Sequence, residues 1–127
     1  MSIDHASAET IVERFGAAWQ SFDGDAWVDL FTDDVEFRED PFEPPIVGHN
    51  AVRAYLLNAA GLQEQVEFTA ERHWVVDPTI LVAWHASYVA RENGATVRLA
   101  GFMTLEMRDG RIARLREWVR RRDGTAA

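Results

Sequence analysis

The sequence predicts an α+β fold in which three N-terminal helices wrap a cone-shaped, curved, mixed or antiparallel sheet. Three observations carry that prediction. Apolar residues recur at helical spacing through the N-terminal half, the period switches to two from Val66 onward, and Asn93-Gly94 and Asp109-Gly110 interrupt the alternating segments. Such dipeptides favour type I′ hairpin turns, which need positive φ at both central residues.

The elements follow in order. Ala8, Ile11, Val12, Phe15, Trp19 and Phe22 form the apolar stripe of a first helix, with Ser7 as its expected N-cap. Phe22-Asp23-Gly24-Asp25 stops it, and Asp25 is the expected cap of a short second helix that turns Trp27, Leu30 and Phe31 inward. Val35 to Arg38 alternates as a strand and runs into the loop Asp40-Pro41-Phe42-Glu43-Pro44-Pro45. A third helix begins near Asn50, buries Val52, Tyr55, Leu56 and Ala59, and ends at Gly61. Strands are then expected over Val66–Val76, Ile80–Arg91, Thr96–Met107 and Ile112–Arg120, with Asp77-Pro78-Thr79 as the first connection and Gly101 as a mid-strand bend or bulge. Strands this long twist and curl, and a curled sheet closed by a long helix encloses an apolar pocket.

Composition removes whole classes of function. The 127 residues suit one domain, 1–127, with a sizeable core. No cysteine is present, so thiol nucleophiles, disulfides and thiolate metal sites are excluded. All 13 basic residues are arginine, which excludes Schiff-base chemistry and a phosphate-loop lysine. A net charge of −8 argues against nucleic acid as a partner, and Arg116 to Arg122 reads more simply as a solvated strand end. The polar N-terminus and the absence of any long apolar run point to a cytoplasmic protein with no membrane segment.

Two acids stand out. Asp40 precedes a proline, which pushes it to extended backbone where the chain leaves the core; it either faces the cavity or starts a turn through its own side chain. Glu117 shares strand parity with Leu115 and Val119, so it points inward with them; its other reading is an ion pair with Arg72 or Arg98. Parity also places Trp84, Tyr88, Leu99 and Met103 on the inner face, and Phe15, Trp19, Phe37 and Tyr55 complete the expected pocket wall. Tyr55 and Tyr88 are candidate hydrogen-bond donors to a developing oxyanion, or structural hydroxyls. His49 falls at the start of the third helix, while His73 and His85 fall on the outer sheet face. No pair of histidines has a metal-ligand spacing with an acid partner on the same face, so no metal is expected.

The element order, with Ile11 to Trp19, Asp25 to Asp34, Gly48 to Tyr55 and Arg108 to Ile112 as its motifs, resembles the nuclear-transport-factor-two-like superfamily. It is most similar to the SnoaL-like and ketosteroid-isomerase-like bacterial members, across Ile11 to about Val119. The resemblance implies a cystatin-like α+β barrel, a homodimer through the outer sheet face, where Ala83, Val89, Ala100 and Phe102 lie, and an apolar small-molecule ligand. Asp40 falls where ketosteroid isomerases carry their general base, but Phe15 and Met103 replace the tyrosine and the neutral aspartic acid of their oxyanion hole. Glu117 falls where limonene-epoxide hydrolases carry a last-strand aspartate, while Trp84, Ala86 and Phe37 replace their arginine, second aspartate and tyrosine.

The expected activity is therefore proton transfer next to a carbonyl, with Asp40 as base, Glu117 as acid and no cofactor. A non-catalytic ligand-binding or dimerising domain is the alternative. Hydrolysis through water activation by Glu117 is a further one.

Overall fold

Nothing in the first helix is as informative as its cap. In a computed structural model, which describes residues 3–124, α1 (His5–Ser21) starts from Asp4, whose Oδ1 accepts the Ser7 amide at 2.7 Å. Ser7 is therefore inside the first turn and does not cap it. The same shift applies to α2 (Gly24–Asp29): Asp23 is the N-cap and accepts the Ala26 amide at 3.1 Å. Asp25 instead pairs with Arg53 at 2.9 Å and ties α2 to α3 (His49–Leu62). That third helix runs through Gly61 and ends where Gln63 turns extended.

Six strands form one sheet: β1 (Phe31–Arg38), β2 (Ile46–Val47), β3 (Gln63–Val76), β4 (Thr79–Ala90), β5 (Thr96–Arg108) and β6 (Arg111–Asp123). Their spatial order is β2-β1-β6-β5-β4-β3. β1 and β6 are parallel and every other pair is antiparallel, so the sheet is mixed. β1 begins four residues earlier than its alternation suggests, because Phe31 pairs with Ile112 across a register shift.

Asp109 and Gly110 take φ of 54° and 78°, as a type I′ turn requires. At Asn93-Gly94 only the glycine has positive φ, and the loop is longer, closed by the Ala90 amide on the Ala95 carbonyl at 2.8 Å.

Curvature comes from bulges in β3, where Gln65 and Glu71 are the extra residues. The second bulge flips His73: it pairs with the fully buried Val82 and stacks on His5, so it faces α1 and not the outer surface. His85 does lie outside, on Glu71 at 2.9 Å. Gly101 marks no bulge, since its pairings on both sides are continuous. A Cβ there would overlap the Trp84 indole, so the glycine lets that ring lie flat on the neighbouring strand.

The core fills the closed end of the cone. Phe15, Phe31, Phe37, Leu56, Ile80, Met103, Leu105 and Leu115 are all at most 2 % exposed. Trp27 joins the layers: its ring lies 5.0 Å from Phe15 and 5.2 Å from Phe31, and its Nε1 donates to the Val52 carbonyl at 3.0 Å. No helix among the described residues is long and apolar enough to cross a membrane.

Candidate functional site

Above that core the cone opens into a cavity of about 710 Å³. α1 contributes Phe15 and Trp19, α3 contributes Tyr55 and Ala59, β4 contributes Trp84 and Tyr88, and the last two strands contribute Leu99, Glu117 and Val119. Phe37 completes the expected wall. Met103 and Leu115 do not reach it. Both are fully buried, sealed in the core beside and below Glu117. Trp27, Glu39, Gln63 and Arg121 also line the cavity and were not among the expected site residues.

Glu117 is the polar floor. It is 8 % exposed and pairs across the strands with the fully buried, apolar Met103. Burial, and secondarily the negative charge of Glu39, push its carboxyl up to about 8. Arg72 lies over Trp74 and Arg98 lines a groove on the other face of the sheet, so neither neutralises it.

Glu39 reaches the cavity by a simple rule of register. The parallel ladder ends where Arg38 pairs with Arg116, so Glu39 stands one residue past the strand on the inward parity of Val35 and Phe37; it lines the cavity and its charge acts on Glu117. The Tyr55 hydroxyl donates to the Glu39 carboxylate. Burial and the charges of Glu117 and Glu39 hold the Tyr55 phenol above its ordinary range, so it stays a donor. The Trp19 indole donates to Gln63 Oε1 at 2.9 Å, fixing the opposite wall.

Asp40 lies at the mouth and is exposed. Its Oδ1 accepts the Phe42 amide at 2.9 Å and its carbonyl accepts the Glu43 amide at 3.1 Å. The proline-rich segment is thus a surface turn closed by Asp40.

Among the described residues no group of three or more histidines and acids is arranged to hold a metal ion.

The fold is shared with many solved structures. A putative isomerase from Bacillus subtilis superposes with a TM-score of 0.80 at 23% identity, covering 91% of this chain and 87% of that one. An LEH-like epoxide hydrolase from Mycobacterium tuberculosis gives 0.77 at 22% identity, with 91% and 84% covered. A Δ5-3-ketosteroid isomerase from a Mycobacterium species gives 0.76 at 18% identity, with 91% and 98% covered. At these identities the likeness is one of fold. No curated protein matches the sequence. The SnoaL-like domain model matches residues 12–115, from the first helix to the last strand, and the chain therefore belongs to the SnoaL-like family.

Proposed function

We propose that this domain is a small-molecule enzyme that moves a proton next to a carbonyl in an apolar ligand. The observation that carries the reading is Glu117, a carboxyl held neutral at physiological pH on the floor of an aromatic cavity, facing a second acid of opposite environment. Glu39, held by Tyr55, takes a proton from the carbon beside the carbonyl. Glu117 gives its proton to the carbonyl oxygen, producing a neutral enol. Where a double bond is conjugated with that enol, return of the first proton to its far carbon, and of the oxygen's proton to Glu117, shifts the double bond and completes an isomerisation with no net proton change.

Asp40 is the other candidate base, because it lines the same opening. Glu39 is preferred because it is the acid whose charge acts on Glu117. Water activation by Glu117 is disfavoured by the same burial, since a base must be ionised and this one is protonated below about pH 8. Simple ligand binding is the second reading. It is favoured by Phe15 and Met103, which place no oxyanion donor where the isomerase resemblance requires one.

Carboxyl-carbon NMR titration, with Glu117→Gln for assignment, should place Glu117 near 8. A value near 4 would remove the acid and leave binding. With a ketone substrate, Glu39→Gln and Asp40→Asn separate the two bases. Full turnover in both would end the isomerase scheme.

The reading extends to assembly through the outer face, where Trp74, Phe102 and Trp118 expose 37 to 43 % of their surface. Light scattering that finds only monomer at all concentrations would exclude the homodimer.

A further inference from the structure

The inner row of β6 changes chemistry in steps: Leu115 is core, Glu117 is acid, Val119 is a half-open apolar wall, and Arg121 is a cation. Arg121 follows that parity onto the cavity side and pairs in register with Leu99, itself a lining residue. Tyr88 stands beside it. Val97, the register partner of Tyr88, is next but one to Leu99, the register partner of Arg121, and Tyr88 and Arg121 line the same cavity.

Two hydrogen bonds join side chains across the cavity wall, Trp19 to Gln63 and Tyr55 to Glu39. Among the described residues Tyr88 takes part in neither. Among the described residues Arg121 spends its Nε on Asp123 at 2.6 Å and makes no hydrogen bond through its two terminal nitrogens. A phenol and a guanidinium with unused donors on one rim form a receptor for an anionic group.

From these observations, and resting on the small-molecule reading above, we infer that the ligand is an apolar molecule carrying a carboxylate, bound by Arg121 and Tyr88, with its reacting carbonyl at Glu117. Glu117 and Arg121 are four residues apart on one strand, so strand rise separates the two poles by about 13 Å. The cavity thus measures its ligand: polar at both ends, apolar between.

Binding of decanoate and of neutral decanol, followed by tryptophan fluorescence and checked by calorimetry at pH 7, tests this. Decanoate should bind about fivefold more tightly than decanol, the size expected of a half-exposed ion pair. Arg121→Gln should abolish that preference without weakening decanol. Asp123→Asn, which frees the remaining donor, should strengthen decanoate alone, a gain that misfolding cannot mimic. If the two probes bind equally to the unmodified protein, or if Arg121→Gln keeps the preference, the anion pole is wrong while the apolar pocket stands. If neither probe binds, the small-molecule reading fails and this inference with it.

Discussion

At the closed end of the cone the inner faces of β5 and β6 carry Met103, Leu105 and Leu115, none with any exposed surface. At the open end the same two strands carry Leu99, Val119 and Arg121 around a cavity. Strand, parity and face are common to both ends; what differs is that one end is sealed in the core and the other borders open space. Glu117 stands at the border, one inner step above Leu115 and one below Val119. It feels the desolvation of the core and touches the space of the cavity, so its carboxyl is both neutral and reachable.

The largest expected effect follows from that border position. An acid whose folded-state pKa is raised binds more protons in the folded state than in the unfolded one. Stability is therefore fully present below about pH 4.5, Glu117's ordinary value, and is lost as pH rises until the folded carboxyl ionises near 8. The loss across that window is on the order of 5 kcal/mol. Denaturant melts at pH 5 and pH 9 should show it. Glu117→Gln, neutral at every pH, should flatten the profile and be the more stable protein at pH 9. An unmodified protein equally stable at both values would mean that Glu117 is solvated.

Truncations should sharpen the contrast between the two ends. Leu115→Ala opens a void in sealed packing and should cost about 3 kcal/mol. Val119→Ala, at 37 % exposure, should cost less than about 1 kcal/mol. Equal costs would mean that the open end is packed like core. Gly101→Ala pushes a methyl group into the Trp84 ring and should cost about 2 kcal/mol. Combining it with Trp84→Phe should recover part of that, because the colliding atoms belong to the indole.

The division between helices and sheet was legible because burial imposes period on both, and Glu117 was legible for the same reason: no bulge interrupts β6 between Leu115 and Val119. His73 was misplaced because the bulge at Glu71 reverses parity, and nothing in the local residue types announces it. By sequence Phe31 goes to the short second helix and the strand begins only at Val35, since Asp33 and Asp34 face solvent and mask the buried Phe31 and Thr32. Glu39 is the instructive omission. Val35 and Phe37 alternate inward, and one more step of the same count reaches Glu39. The proline after Asp40 drew attention to the neighbouring acid, whose restricted backbone serves a surface turn.

Tyr55→Phe removes one hydrogen bond to Glu39 at the rim and should cost about 1 kcal/mol. Glu39→Gln should leave stability nearly unchanged, because that side chain is exposed, yet it should move the titration of a different residue. Burial is the larger cause of the raised Glu117 pKa and the charge of Glu39 the smaller. Removing the charge should therefore lower the Glu117 value while leaving it well above the ordinary carboxylate range. Asp40→Asn is the control and should not move it, since Asp40 is no cause of that shift. If Asp40→Asn lowered the Glu117 titration and Glu39→Gln did not, the acid facing Glu117 would be the one in the turn, and the base assignment would pass to Asp40.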